Sequence, residues 1–364
     1  MNRIFRPEDS TVSAILPPGE KNPRNSEGDF IRLKDGRILF AFSYYNGDSW
    51  DDDAVAEIRC IVSEDEGRTF SAEPRRLMAP FRPEDKNLMS VSLMRMDNGD
   101  IGLFYLSHKT DGTSECFISR SDDECESFYR TDSILPGGWR GYYVLNNCRI
   151  EKLSDGRLLA PVALHEIRDS TDEDIDYFSA VRFFCSEDDG FTWNRLPAKV
   201  QTGEMYNDTG LQEPGVIELP GGALYAYFRT HMGCQYEALS PDAGAHWFGP
   251  RPSRFSSAVS PMKISRNPYT GKYYAVWNPV PEYVTRKTAE GVWFRTPLAI
   301  AESVDGFNFD LENTQLIEDD PDRGYCYPAV FFADEKTILL AYCSGGAADG
   351  CTLNRLTIRR IVLS

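Results

Sequence analysis

Five aspartates recur in one setting: Ser-x-Asp-x-Gly-x-Thr followed by Trp or Phe. The setting is complete at Ser63–Phe70 and Ser186–Trp193, and degenerate at Ser121–Phe128, Ser240–Trp247 and Ser303–Phe309. Cys125 replaces the glycine in one copy, and one residue is missing ahead of Gly306 in another. Five carboxylates in fixed surroundings could be read as five general acids. Their neighbours decide against it. Ser and Asp side chains bond backbone N–H groups in a turn, Gly permits the left-handed residue, and the aromatic packs underneath. The five aspartates are therefore expected in self-capping turns on an outer rim, away from any chemistry. No His/Cys/Asp cluster has metal spacing and no glycine-rich phosphate loop occurs, so no metal or cofactor is expected. His165 and His231 stand near strand ends, where each is either a pocket residue or a satisfied structural one.

The elements that carry these turns repeat. An apolar strand, a tight turn and a second apolar strand occur at Asp35-Gly36, Asn98-Gly99, Asp155-Gly156, Gly221-Gly222 and Thr270-Gly271, with a degenerate copy at Asp334-Glu335-Lys336. Asp-Gly and Asn-Gly between apolar runs are strong hairpin signals because those turns need positive φ. Six units of short strands with no helical periodicity describe an all-β, six-bladed β-propeller, folded as one domain over residues 1–364. The alternating C-terminal segment Leu353–Val362 and the strand-like Ser10–Leu16 are expected to pair in the last blade and close the ring.

With 41% hydrophobic residues the chain can fill a large core. A formal charge of −17 argues against nucleic acid and anionic membranes as partners. The start, Met1–Asp9, has no apolar signal core, and no run approaches the roughly 18 apolar residues of a membrane span. Nine scattered cysteines without CxxC spacing suggest free thiols and a cytoplasmic location.

The box turns and the unit plan resemble the sialidase superfamily over essentially the whole chain. That resemblance implies roles for particular residues. Gly210-Leu211-Gln212-Glu213-Pro214-Gly215, with Tyr225–Arg229 after it, is similar to the segment where a Glu opens the first strand of blade four and an Arg ends the second. By the same resemblance Glu213 is the base behind the nucleophile, and Arg229 is one of three arginines gripping a substrate carboxylate. Arg295 matches the third of them, and Tyr327, with Tyr325 as fallback, the nucleophile. In blade one the match loosens. Arg24 lies farther from its hairpin than the family pattern, and Glu27 adds an acid that either orients Arg24 or contacts a hydroxyl of a different sugar. The run Asp51-Asp52-Asp53 falls where the family keeps its acid/base aspartate, taken as Asp52 or Asp53, with Asp51 in a solvated turn. Arg149 is either a pocket residue or a surface arginine paired with an acid.

The residue types suit the reaction. Sialic acid carries its carboxylate on the anomeric carbon, so a neutral tyrosine approaches without like-charge repulsion, and sialidases depart in this way from the two-carboxylate rule. Tyrosine has a pKa near 10 and needs an activating base. Guanidinium forks fit a carboxylate bidentately. The expected activity is exo-acting, retaining release of a terminal acidic sugar, sialic acid first, from a small glycan. The alternatives are a propeller enzyme for another sugar, such as a uronic acid, and a non-catalytic sugar-binding propeller.

Overall fold

The computed structural model describes residues 3–137, 141–167, 176, 178–203, 208–279, 290–293 and 295–364. Among these residues the chain is all-β, with three short 3-10 turns at Leu311–Asn313, Ala347–Asp349 and Thr352–Asn354.

The hairpins form where positive-φ residues allow them. In the first, Leu33 N–H bonds Arg37 O at 2.8 Å and Gly36 N–H bonds Leu33 O at 3.0 Å, with Gly36 at φ 93°. The same pair of bonds recurs at Met96/Asp100, Leu153/Arg157 and Leu219/Ala223. Each hairpin extends into an antiparallel unit. Unit one is Arg24–Arg32, Ile38–Tyr45, Ala56–Ser63 and Arg75–Met78. Unit two is Asp85–Arg95, Ile101–Lys109, Ser114–Ser121 and Arg130–Ser133. A single parallel bridge, Ala56 to Asn87, joins these two into one eight-stranded sheet. Unit three pairs both Tyr142–Val144 and Glu151–Lys152 with Leu158–His165, and continues through Ala180–Ser186 and Asn194–Val200. Unit four is Gln212–Glu218, Leu224–Arg229, Cys234–Ser240 and Phe248–Ser256. Unit five is Lys263–Arg266, Tyr273–Trp277, Leu298–Ser303 and Gln315–Glu318. Unit six combines Cys326–Phe332, Thr337–Cys343 and Leu356–Leu363 with the N-terminal strand Phe5–Leu16. The two ends of the chain thus share a sheet as expected, in register Val12 to Arg359 and Ile15 to Thr357.

Apolar faces pack unit against unit. Leu39 and Ala41 meet Leu88 and Leu103, Phe104 and Ile118 meet Leu158 and Ala160, and Val181 and Phe183 meet Leu224 and Phe228. Tyr225 and Tyr227 meet Tyr273 and Trp277, and Tyr274 and Val276 meet Leu340 and Tyr342. A further cluster sets Phe40 and Phe42 of unit one against Leu339 and Ala341 of unit six. Each such large side chain contributes about 1.5–3 kcal/mol on burial.

The boxes are turns, as their chemistry predicts. Ser63 Oγ accepts from Gly67 N–H at 2.9 Å, and Asp65 accepts from the Thr69 N–H and hydroxyl at 2.9 and 2.7 Å. The copy at Ser186 repeats these bonds. Gly67, at φ +75°, also brings the turn onto unit six, where a Cβ would meet the Leu339 side chain. At the inner edges the links are polar. Asn147 Nδ2 donates to Gly28 O at 3.0 Å and to Tyr327 O at 3.3 Å, tying unit three to units one and six.

Candidate active site

One backbone device places the key side chains. The first strands of units one, two, four and six each slip register, between Ser26 and Gly28, Met89 and Ser92, Gln212 and Gly215, and Cys326 and Ala329. Within the slips stand Glu27 (φ 47°), Ser90 (φ 60°), Glu213 (φ 46°) and Tyr327 (φ 53°). Non-glycine residues seldom occupy this left-handed region, and bulges of this kind re-aim side chains beside active sites. All four side chains line one cavity of about 800 Å³. Cys148 (φ 50°) is the counterpart in unit three, but its thiol is turned to Pro328 O at 3.4 Å and does not reach the cavity wall.

Within the cavity Tyr327 Oη donates to Glu213 Oε1 at 2.6 Å, and Arg229 Nη1 donates to the same oxygen at 2.6 Å. Burial works to raise the Glu213 carboxyl, but the Arg229 guanidinium prevails and holds it below the ordinary value. Glu213 therefore stays an anion with a phenol proton pointing at it. Burial, reinforced by the Glu213 charge, pushes the Tyr327 phenol well above 10. The Arg295 guanidinium lies 5.7 Å from the Tyr327 ring centre and 5.2 Å from that of Trp293. It donates to Cys326 Sγ and to Val259 O, both at 3.3 Å. Tyr325 packs its ring on Tyr342 and lies off the cavity, so Tyr327 is the tyrosine the fold presents.

The acidic run divides as only structure could divide it. Asp52 lines the cavity, and its Oδ1 accepts from Arg24 Nη1 at 2.5 Å. Desolvation works to raise this carboxyl, yet its side chain keeps 61% of its surface accessible and the Arg24 ion pair leaves it lowered. Asp53 is 75% exposed and binds Lys86 Nζ at 3.0 Å, outside the cavity. Asp51 closes a turn with Ser49.

Two expectations need correction. Arg24 is 1% exposed and does not form part of the cavity wall. Its Nη1 is spent on Asp52 and on Trp50 O at 3.2 Å, and its Nη2 on Ser26 at 3.4 Å and Glu27 at 3.5 Å. Its two carboxyl partners, Asp52 and Glu27, line the cavity in its place. Arg149 is buried off the wall as well, donating to Met262 O at 2.7 Å and Tyr227 Oη at 3.4 Å. It braces unit three against units four and five. His165 does line the cavity, whereas His231 sits outside it against Thr209.

The fold also brings in residues to which the sequence assigned no role: Ser90, His108, Asn146, Gln212 and Trp293. A signal for Ser90 existed. Glu27, Ser90, Glu213 and Tyr327 all stand nine residues before the turn residues Gly36, Gly99, Gly222 and Lys336. His108, Tyr142 and His165 form a wall of edge-on rings, with centres 5.1 and 5.9 Å apart. Burial pushes His108 down to about 4 and also lowers His165, so both imidazoles are neutral at pH 7. Among the described residues no group of three or more His, Cys, Asp or Glu is arranged to hold a metal ion.

Comparison with known proteins gives this geometry its setting. No curated protein is significantly similar in sequence. Among solved structures, a Dyadobacter fermentans protein of unknown function superposes with TM-score 0.72 at 17% identity, covering 97% of this chain and 99% of that one. The leech intramolecular trans-sialidase, solved with 2,7-anhydro-Neu5Ac, gives 0.70 at 14%, covering 97% and 70%. Trypanosoma rangeli sialidase, solved as a covalent intermediate with 2,3-difluorosialic acid, gives 0.70 at 14%, covering 99% and 59%. Identities this low speak to the fold, which is that of the sialidases. The family model described as a BNR repeat-like domain matches residues 73–339. Since that span takes in four of the five box turns and most of the chain, the protein belongs to the BNR repeat-like domain family.

Proposed function

We propose that the six units close into a single six-bladed propeller domain and that its cavity is the active site of a retaining, exo-acting glycosidase releasing a terminal acidic sugar. The observation that carries the chemistry is the shared oxygen: Glu213 Oε1 receives both the Tyr327 phenol and the Arg229 guanidinium. A buried phenol paired with an ionised base is an activated nucleophile. The packing of unit six on unit one supports ring closure.

In the first displacement Tyr327 Oη attacks the anomeric carbon and its proton passes to Glu213. The glycosidic C–O bond breaks, and the leaving oxygen takes a proton from Asp52. In the second, Asp52 removes a proton from water and the water oxygen attacks the same carbon. The tyrosyl oxygen leaves and recovers its proton from Glu213. Two displacements retain configuration. Asp52 must let go of Arg24 and bind a proton before it can serve as the acid. Arg295 and Arg229 supply positive charge for a substrate carboxylate.

The concealment of Arg24 favours a second reading, in which the sugar is a uronic acid or another glycone instead of sialic acid. The test is hydrolysis of a panel of 4-methylumbelliferyl glycosides, sialosides and uronides included, by the native protein and by Tyr327→Phe. Cleavage of an acidic member by the native protein alone is the expected result. Equal cleavage by the variant removes Tyr327 from the mechanism. Cleavage confined to neutral sugars leaves a glycosidase without the acidic substrate.

A further inference from the structure

Besides Arg229 and Arg295 the cavity wall carries hydrogen-bond acceptors, one of them, Gln212, opposite Arg229 in the ladder of unit four. Among the described residues Asn146 Oδ1, on a residue buried to 97%, and Gln212 Oε1 are both buried without a hydrogen-bond partner, and both residues line the cavity. Buried acceptors of this kind are seldom left unmet unless something else supplies the donors. Glu27 stands with them. The bulge that aims Glu213 and Tyr327 aims Glu27 as well, at the same place in its unit. Ser90 Oγ seats one oxygen of the carboxyl at 2.7 Å and Arg24 approaches the other at 3.5 Å. Carboxylate oxygens hold about four acceptor positions between them, so capacity remains.

We propose that Glu27 is a specificity-determining residue that accepts a hydrogen bond from a hydroxyl of the sugar bound over Tyr327, at the place where Arg24 would otherwise hold an anionic group. The inference rests on the glycosidase reading above and narrows it. The glycone is a polyhydroxylated pyranose with at most one negative charge, its carboxylate toward Arg295 and its hydroxyls toward Glu27, Asn146 and Gln212. A second anionic substituent, such as a sulfate or phosphate ester, would meet a carboxyl there and be rejected. Burial pushes the Glu27 carboxyl up to about 8. The group can therefore also carry a proton and hydrogen-bond a hydroxyl in either role.

The experiment measures binding by isothermal titration, with N-acetylneuraminic acid, D-glucuronic acid and D-glucose as probes, together with their monodeoxy analogues. The proteins are the native chain, Glu27→Gln, Glu27→Ala and Arg295→Ala, each checked by circular dichroism. The expected result is that one monodeoxy analogue binds the native protein about tenfold or more weakly than its parent, while Glu27→Ala binds the two alike. Glu27→Gln, which keeps shape and an acceptor, should fall between them and covers the case in which the alanine variant does not fold. If every hydroxyl deletion costs the same in native protein and Glu27 variants, Glu27 only supports Arg24 and the proposal is overturned. A sugar acid whose binding depends on Arg295 would then still uphold the acidic-sugar reading. Hydroxyl coupling to Glu27 seen with glucose alone would keep the proposal and remove that reading. Absence of binding by any probe overturns both.

Discussion

Replacing Glu213 by glutamine removes a proton acceptor while keeping the shape of the side chain. In the native site Glu213 Oε1 is 2.6 Å from the Tyr327 hydroxyl and is held ionised by Arg229. The amide can still accept that hydrogen bond but cannot take the proton. A phenol of ordinary pKa is ionised to about one part in 10³ at pH 7, equivalent to about 4 kcal/mol. Burial raises the Tyr327 phenol further, so about 10³-fold is the smaller loss to expect in kcat. Arg229 and Arg295 both act to lower the phenol, and without the Glu213 charge they should return part of the loss at high pH. The assay is kcat against pH on whichever umbelliferyl glycoside the native protein cleaves. The native rate should be level through neutrality, while that of Glu213→Gln should climb about tenfold per pH unit. A variant within tenfold of native, with a level profile, would refute the base role.

Asp52→Asn should slow substrates with alkyl or sugar leaving groups by about 10²-fold or more and spare aryl glycosides in the first displacement, since a good leaving group needs little protonation; equal losses on both classes would deny Asp52 the acid role. Glu27, raised to about 8 from 4.5, keeps a proton in the folded chain that the unfolded chain has released, so its contribution to stability is lost as pH rises through that interval. His108 and His165, both lowered, act in the opposite sense only below about 6.5, and Cys343, lowered to about 7, opposes Glu27 above that point. Between pH 6.5 and 8 the melting temperature of Glu27→Gln should therefore fall less steeply, or rise more, than that of the native protein, and parallel curves from scanning calorimetry would contradict the assignment. Gly67→Ala forces a side chain at φ +75° into Leu339 and should lower stability by roughly 2 kcal/mol in urea unfolding; an unchanged midpoint would mean the box does not brace unit one on unit six.

The hairpins and boxes were legible in the sequence because their causes are local. Asp35-Gly36 or Ser63–Phe70 needs no distant partner to form its turn. Tyr327, Glu213, Arg229 and Arg295 were legible through resemblance, and the fold brings them to one cavity. Arg24 and Arg149 were not, because what hides them is distant in the chain: Asp52 folding back over Arg24, and Tyr227 and Met262 closing on Arg149. Asp52 and Asp53 are neighbours with the same chemistry. Arg24 on one side and Lys86 on the other separate them. Ser90 was within reach of the sequence through the nine-residue interval to the turn that it shares with Glu27, Glu213 and Tyr327.

The bulges divide the labour of the chain. A residue in a bulge has no partner opposite it in the ladder, so changing its side chain leaves the register of the sheet and the outer turns untouched. Glu27, Ser90, Glu213 and Tyr327 therefore behave as sockets: what is plugged into each can change while the frame stays the same. This bears on descent and on engineering alike. The left-handed backbone at each of these four sockets favours glycine, so the side chains of Glu27, Ser90, Glu213 and Tyr327 are presented to the cavity against the preference of the main chain.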